Sequence, residues 1–216
     1  MQEAHGGTEA DGVQEAHSGT EAHGGTEAPA DGRVRRSQRS RDAIADALFE
    51  LVGEGVLEPT AHQVAERARV GIRSVFRHFS DMEALYTTVD ARLVAEVAPL
   101  LRDLPLEAPL GERAAALVRE RATLFERIAP YKRASNLKRW RSPVLTGHHR
   151  KLVAALRARL LGWLPELAGA PADTLEALDQ ATSFEAWDRL RSEQRLGRER
   201  ARAAMERAVH ALVDTL

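Results

Sequence analysis

The sequence predicts an all-α protein of about nine helices. Apolar residues recur at spacings of three and four through most of the chain after residue 40, which is the spacing of a buried helix face. No segment shows the alternation of apolar and polar residues that is typical of a strand. The apolar fraction is 44% with only 5% aromatics, so we expect helices that pack through Leu, Ala and Val.

The composition excludes several classes of protein. The 216 residues contain no Cys, which excludes disulfides and thiolate metal sites and is typical of a reducing compartment. No apolar stretch approaches the ~20 residues of a membrane span, and the N-terminus is acidic where a signal peptide would be basic. We therefore expect a cytoplasmic protein with no membrane partner.

Residues 1–32 form a low-complexity segment that carries seven acidic residues and no Lys or Arg. It repeats a hexapeptide, which reads EAHGGT at 3–8, EAHSGT at 15–20 and EAHGGT at 21–26. Such a segment buries too little apolar surface to offset its chain entropy, so we expect a disordered acidic tail. Its His5, His17 and His23 lack a fixed geometry, and we favour a solvated tail over a metal site. The rest of the chain carries a formal charge of +6.

Residues 37–104 predict four helices. A basic run from Arg33 to Arg41 leads into the first helix, which ends near Gly53 and Gly55. The apolar face of this helix consists of Ile44, Ala47, Leu48, Leu51 and Val52.

A helix-turn-helix is predicted between Thr60 and Phe79. Thr60 and Gln63 are spaced as a capping box that starts the second helix. The turn is Arg69-Val70-Gly71, and a short third helix follows from Ile72 to Phe79 with Val75, Phe76 and Phe79 turned inward. A second capping box, Ser80 and Glu83, opens the fourth helix, which continues until Pro105.

Five more helices are predicted downstream. The fifth carries Val118, Phe125 and Ile128, and the sixth carries Leu137 and Trp140 between Pro130 and Pro143. The seventh extends through Leu152 to Leu164, the eighth covers Asp173 to Arg195, and the ninth covers Arg198 to Val213 after a division at Gly197.

Two short helices joined by a tight turn can place the second helix in the major groove of double-stranded DNA. Arg73 has the donors to bind guanine O6 and N7, Ser74 can reach base edges or phosphate, and the basic run can neutralise phosphates or enter the minor groove. The candidate DNA-binding residues are Arg33, Arg35, Arg36, Arg39, Thr60, Arg69, Arg73, Ser74, Phe76, Arg77 and His78.

Residues 37–86 resemble the tetracycline-repressor-like (TetR) family of transcriptional regulators. The resemblance lies in the order and spacing of Ala43-Ile44, Leu48-Phe49, Gly55, Thr60, Val64-Ala65, Ala68, Val70, Ser74-Val75-Phe76, His78-Phe79 and Leu85. It implies a homodimer, usually a repressor, in which helices eight and nine form a four-helix bundle and helices four to seven enclose an effector pocket. We accordingly divide the chain into the tail 1–32, a DNA-binding domain 33–86 and an effector-binding and dimerisation domain 87–216.

Four positions depart from the family pattern. Arg69 stands where the family commonly has Gly, and a non-Gly residue with positive φ costs about 1 kcal/mol. Gly71 replaces the usual Ser or Thr cap of the recognition helix, at a cost of a few tenths of a kcal/mol. Phe76 and Met82 replace a Tyr and a Lys that often reach phosphate. We therefore expect the Arg33 to Arg41 run to be the main phosphate anchor.

The downstream half offers a candidate effector pocket. Arg121 lies between Val118 and Phe125 on an inward face, where an unpaired guanidinium would be costly. We favour an ion pair as its partner, with an anionic small-molecule effector as the alternative. The candidate pocket residues are Arg121, Phe125, Trp140, His149, Trp163, Phe184 and Trp187.

Helices eight and nine offer a candidate dimer interface, because small residues permit close helix approach. Its residues are Leu190, Arg191, Ala201, Ala204, Met205, Ala208, Val209 and Leu212. Two-fold pairing would predict a near-palindromic operator.

Three functions remain open. The first is a DNA-binding regulator, typically a repressor, that an effector releases from its operator, and the second is a DNA-binding regulator without an effector. The third, a helical enzyme, is the least favoured, because no phosphate loop, zinc-binding helix motif or catalytic carboxylate pair is present in the sequence. We therefore expect neither a catalytic residue, nor a cofactor, nor a metal site.

Overall fold

The computed structural model describes residues 29–78, 82–101 and 106–216, and the regular structure within those ranges is helical. The all-α prediction is therefore confirmed for the described part of the chain. Its helices are α1 (Pro29–Gly53), α2 (Ala61–Arg67), α3 (Ile72–His78), α4 (Met82–Val97), α5 (Leu110–Lys138), α6 (Pro143–Trp163), α7 (Ala172–Ala181), α8 (Phe184–Asp188) and α9 (Arg198–Val213). None of these described helices is both long and apolar enough to cross a membrane.

Helices α1 to α4 share one apolar cluster. The predicted apolar face of α1 is buried there, and Val64 and Ala65 of α2, Val75 of α3 and Leu85 of α4 pack against it. Fully burying an apolar side chain of this size stabilises the fold by about 1.5–3 kcal/mol. The two short helices are thus held in place by α1 rather than by their own helix propensity.

A larger cluster lies between α5, α6, α7, α8 and α9. Helix α5 is its central element, and α9 packs along it through Ala201, Met205 and Val209. The ninth helix begins and ends where the sequence predicts, after Gly197 and at Val213.

The two clusters meet at Tyr131 of α5. Its ring stacks on Phe49 of α1 with centroids 4.5 Å apart, and its hydroxyl donates a hydrogen bond to the Phe49 carbonyl oxygen at 3.3 Å. A Cβ on Gly53 would lie 2.8 Å from that hydroxyl oxygen. A larger residue at position 53 would therefore require the Tyr131 hydroxyl to move away from α1.

The prediction that Pro130 separates a fifth helix from a sixth is wrong. The 29-residue helix α5 continues through Pro130 to Lys138, and Arg139–Arg141 follow as a short 3-10 turn. A proline inside a helix costs about 3 kcal/mol. The buried side chains of Leu124, Phe125 and Ile128 on one side of it and Tyr131 on the other each stabilise the helix by about 1.5–3 kcal/mol, which outweighs that cost.

The predicted eighth helix, Asp173 to Arg195, is interrupted. Helix α7 ends at Ala181, and Ser183 starts α8 by accepting a hydrogen bond from the Ala186 amide at 3.1 Å. The Thr182 hydroxyl turns back to the Leu178 carbonyl oxygen at 2.8 Å. Two adjacent hydroxyl side chains that bond to the backbone thus divide the segment.

Two further boundaries differ from the prediction. Helix α4 ends at Val97, because Pro99 starts a 3-10 turn, whereas the expected stop at Pro105 lies outside the described residues. Helix α1 begins at Pro29, so the basic run is helical and so are the last residues of the predicted tail. The rest of that tail, including His5, His17 and His23, lies outside the described ranges.

Candidate functional site

The first candidate site is the pair α2 and α3, which is fixed at both joints. At the start of α2, the Thr60 hydroxyl accepts a hydrogen bond from the Gln63 amide at 3.2 Å, and the Gln63 side chain accepts one from the Thr60 amide at 2.9 Å. The predicted first capping box is therefore present. The second predicted box cannot be compared, because Ser80 and the side chain of Glu83 lie outside the described residues.

Arg69 forms the turn between these helices with a φ of 54°. This is the left-handed conformation expected where the family has glycine. The backbone amide of Val70 then donates to the Ala65 carbonyl oxygen at 3.0 Å, which closes the end of α2. Beyond the turn, the Ser74 amide donates to the Gly71 carbonyl oxygen at 2.7 Å. The first turn of α3 therefore forms without a side-chain cap at Gly71.

The outward face of α3 is polar and basic at its edges and apolar at its centre. Arg73 and Arg77 are exposed and Ser74 is half-buried, whereas Val75 is buried against α1. Phe76 is 60% exposed, so the prediction that it turns inward is wrong. The helical period places residues 72, 73, 76 and 77 on one side and residue 75 on the other. Phe79 lies outside the described residues, as does the side chain of Met82.

The basic run forms a continuous exposed strip on the N-terminal turns of α1. Arg33, Arg35, Arg36 and Arg39 are all exposed, and the run to Arg41 extends about 12 Å along the helix axis. The helix therefore holds these side chains at fixed positions relative to one another, whereas a flexible arm would not. The expectation of an arm is corrected to a helical extension.

Arg41, at the C-terminal end of this strip, lies close enough to the end of α3 for its charge to act on His78. Burial lowers the pKa of His78, and the positive charges of Arg77 and Arg41 lower it further. Arg77 Nη2 lies 3.3 Å from His78 Nε2, so a neutral imidazole accepts this hydrogen bond. The basic end of α1 and the C-terminal end of α3 thus contribute to one positive surface.

Arg67 stabilises the same region by joining the C-terminal end of α2 to the end of α1. It was not among the residues predicted to be functional. Its two Nη atoms lie 2.8 Å from the two carboxylate oxygens of Glu54, and Nη1 lies 3.3 Å from Glu50. The hydrogen bonds from Arg67 hold the pKa of the Glu54 carboxyl below its usual value. This fork ties the end of α2 to the end of α1 and is a structural contact.

The second candidate site is a cavity of about 400 Å³ bounded by α1, α4, α5 and α6. Its walls are mostly apolar, with Leu48 of α1, Leu93 of α4, Ile128 of α5 and Leu152 of α6 as examples. This volume lies within the range of small-molecule sites. Because α1 and α4 supply one wall, the cavity adjoins the α1 to α4 cluster directly.

The structure brings only His149 of the seven predicted pocket residues to this cavity. Phe125, Trp163, Phe184 and Trp187 are buried in the larger cluster, on the side of α5 that faces α8 and α9. Arg121 is also buried, at 1% exposure. Trp140 is 70% exposed in the turn after α5, with the Arg141 guanidinium 4.3 Å from its ring centroid.

Arg121 lacks the ion pair that the sequence analysis favoured. Its Nη2 donates to the Leu156 carbonyl oxygen at 2.5 Å, whereas Nε and Nη1 are buried and have no hydrogen-bond partner among the described residues. Burial lowers its pKa to about 10, and Glu120 and Asp179 oppose that shift only in part.

Lys132 is a buried polar residue of the cavity that was not among the predicted pocket residues. It is 7% exposed, and its Nζ lies 2.7 Å from Nδ1 of His149. Burial lowers the pKa of both groups, and the neighbouring Lys132 charge lowers that of His149 further. The signal was available, because Lys132 continues the stripe of Arg121, Phe125 and Ile128. The predicted helix end at Pro130 placed Lys132 outside that stripe.

The predicted dimer residues fall into three groups. Ala201, Met205 and Val209 are buried by their own chain against α5 and leave no exposed surface for a second copy in this arrangement. Leu190 and Leu212 pack at the edge of the same cluster, and Arg191 pairs with Glu126 at 2.7 Å. Ala204 is half-buried and Ala208 is exposed.

Two solved structures have a similar fold. One is a transcriptional regulator from Rhodococcus sp. Rha1, with a TM-score of 0.61 and 21% sequence identity over 83% of this chain and 96% of that chain. The other is a tetR-family transcriptional regulator from Streptomyces coelicolor, with a TM-score of 0.61 and 20% identity over 81% of this chain and 79% of that chain. No family model and no curated protein matches the sequence. The likeness therefore concerns the fold.

Proposed function

We propose that this protein is a sequence-specific DNA-binding transcriptional regulator. The observation that carries the proposal is the pair α2 and α3, which is capped at Thr60, closed at Arg69 and fixed on α1, and which turns Arg73 and Arg77 outward. A short rigid helix that presents basic side chains is the element that enters the major groove in helix-turn-helix proteins. The fold shared with two transcriptional regulators supports this function.

Each exposed side chain of α3 has a role in this proposal. Arg73 reads guanine through O6 and N7, Ser74 bonds to a base edge or a phosphate, and Phe76 lies against the sugar and thymine methyl groups at the floor of the groove. Arg77 and His78 bind the phosphates that flank the groove. Thr60 and Arg69 lie at the two ends of α2, where they meet the backbone of the same strand.

The basic strip on α1 supplies the affinity that does not depend on sequence. Arg33, Arg35, Arg36 and Arg39 lie along one helix that leads toward α3, so they can contact several phosphates in succession. Each phosphate that is neutralised adds about 0.9 to the dependence of log affinity on log salt. This strip takes the place of the two phosphate contacts that Phe76 and Met82 do not provide.

We further propose that two copies bind one near-palindromic operator. The side of α9 that faces away from α5 carries Arg200, Ala204, Arg207, Ala208 and Ala211, which are half-buried or exposed. Small side chains let two helices approach closely. A homodimer formed through this face would place two copies of α3 on successive turns of the same side of DNA.

In this proposal the protein is a repressor, and a small molecule that binds in the cavity releases it from DNA. Leu48 and Val52 of α1 line the cavity and also belong to the cluster that holds α2 and α3. A ligand that binds one arrangement of α1 and α4 better than another therefore changes the position of α3. The alternative is a regulator without an effector, for which no small molecule would alter operator affinity.

Selection of binding sequences from random double-stranded DNA tests the function. We expect enrichment of one near-palindromic sequence, and Arg73→Ala should lower affinity for it by about 10- to 100-fold, the value of one bidentate base contact. Arg119→Ala is the matched control, because Arg119 is exposed on α5, away from both α3 and the proposed dimer face of α9. Failure to enrich any sequence, or equal losses in the two variants, would contradict the proposal.

A further inference from the structure

The cavity contains a buried cation, Lys132, that has no ion-pair partner among the residues that the structure describes. Burial lowers the pKa of Lys132, and the Glu185 carboxylate is near enough to oppose that shift in part. Lys132 Nζ lies 2.7 Å from His149 Nδ1 and 5.5 Å from the Phe184 ring centroid. Within the described parts of the chain, no carboxylate oxygen lies within 4.0 Å of it. Its ammonium group has three donors, and the imidazole accepts only one of them.

The other basic groups around the cavity are already paired or solvated. His148 lies 3.6 Å from Asp90, Lys138 lies 3.4 Å from Glu58, and Arg159 is paired with Glu120. Lys151 is exposed to solvent. The positive charge that can attract an anion inside the cavity is therefore concentrated at Lys132.

His149 can assist at the same point. Its Nδ1 accepts the hydrogen bond from Lys132, so in the neutral ring the proton is on Nε2, which remains a donor. Lys132 Nζ keeps two further N–H donors that can bind the oxygens of a carboxylate, and His149 fixes the position of Nζ. Hydrogen bonds to a charged group in a buried site are stronger than those between neutral groups.

The remaining walls fit an apolar body. Val89, Leu93 and Val97 repeat along α4 and face Leu124, Ile128 and Leu152 of α5 and α6. Three side chains at spacings of four on one helix give an elongated wall. An apolar chain lying along this wall would remove its surface from water.

We propose that the cavity binds an amphipathic monocarboxylate, a molecule with one carboxylate held by Lys132, which His149 positions, and an extended apolar body along α4. This inference rests on the proposed function only in treating the cavity as the effector site.

Three probes with the same chain and different head groups test this inference: decanoate, 1-decanol and decylamine. Each is added to the full chain without DNA, below its micelle concentration, and binding is measured by calorimetry and by the shift of the thermal midpoint. We expect decanoate to bind about tenfold or more tightly than 1-decanol, and decylamine to bind most weakly.

Substitutions locate the preference. Lys132→Met should lower the affinity for decanoate by about tenfold or more and leave that for 1-decanol unchanged. Lys132→Arg keeps the charge and should keep the preference, and it remains informative if the methionine variant fails to fold. Arg150→Met is the matched control, because it removes the same charge from an exposed position of α6 that does not line the cavity.

Three results would overturn the inference: equal affinities for decanoate and 1-decanol, tighter binding of decylamine, or an equal loss of decanoate affinity in Arg150→Met. Binding is measured without DNA, so failures of the two proposals can be distinguished. A chain that binds decanoate but no DNA contradicts the proposed function alone. A chain that binds its operator and shows no preference for decanoate contradicts this inference alone.

Discussion

Two buried arginines of α5 differ in how completely their guanidinium groups are hydrogen-bonded. Arg113 pairs with Glu166 and donates from Nη1 to the Trp163 carbonyl oxygen at 2.7 Å. Arg121 makes a single bond, to the Leu156 carbonyl oxygen, and two of its nitrogens have no partner among the described residues. A buried charge is tolerated when it is paired and costs stability when it is not. Equal burial therefore has opposite consequences at the two positions.

Arg121→Met should raise the free energy of unfolding by about 1–3 kcal/mol, because it replaces a poorly paired buried charge with an apolar side chain of similar length. Urea denaturation followed by circular dichroism measures this change. The control is Arg113→Met, which should lower the free energy of unfolding by about 1–3 kcal/mol, since it removes satisfied bonds. Destabilisation of similar size in both variants would show that Arg121 is as well paired as Arg113.

At the scale of elements, the turn between α2 and α3 stores strain in one residue. Arg69 has a φ of 54°, and Arg195, in the connection before α9, has the same value. A residue with a side chain costs about 1–2 kcal/mol in this conformation, whereas glycine adopts it freely. The two arginines can therefore be compared directly, because Arg69 lies inside the proposed DNA-binding unit and Arg195 lies outside it.

Arg69→Gly and Arg195→Gly should each raise the thermal midpoint, by an amount equivalent to about 0.5–1 kcal/mol after the entropy of glycine is subtracted. Only Arg69→Gly should also weaken DNA binding, because it removes a proposed phosphate contact. Thermal unfolding and fluorescence anisotropy with labelled operator measure the two effects. Unchanged DNA affinity in Arg69→Gly would remove Arg69 from the set of DNA-binding residues.

The helical extension of α1 makes a separate prediction about salt. Replacing Arg33, Arg35 and Arg36 by Ala should weaken binding to all sequences alike and reduce the slope of log affinity against log salt by about 2–3. The control replaces three exposed arginines elsewhere, Arg119, Arg150 and Arg189, by Ala, which changes the net charge equally. Titrations at several salt concentrations give the slope, and equal slopes in the two triple variants would exclude the strip as the anchor.

Local signals in the sequence were sufficient for the elements whose ends are set locally. The Thr60 and Gln63 box, the turn at Arg69 and the limits of α9 all depend on residues within one helical turn. The cavity could not be predicted in the same way. Periodicity shows that Phe125 points inward, but whether it meets α9 or a void depends on how distant helices pack. The same holds for Pro130, whose effect depended on buried neighbours.

At the scale of the whole molecule, the proposed dimer is the feature that determines the operator. Ala208→Arg introduces a long charged side chain into the exposed face of α9, and we expect light scattering to show half the mass of the parent protein. Affinity for the palindrome should fall, whereas affinity for a single half-site should not change, because α3 is untouched. Ala154→Arg on α6 is the control, since Ala154 is also exposed. A monomeric parent protein would contradict the dimer directly.

The contact between Gly53 and Tyr131 limits how this protein can be engineered. Proteins that share this fold can be combined into chimeras, in which helices α1 to α4 of one chain are joined to helices α5 to α9 of another. In this protein α1 contacts α5 through the Phe49 stack and the Tyr131 hydroxyl as well as through the chain itself. If the new α1 carries a larger residue at position 53, its Cβ lies too close to the Tyr131 hydroxyl oxygen. A functional chimera should therefore exchange residues 53 and 131 together, although residue 131 lies on α5 and not on α1 to α4.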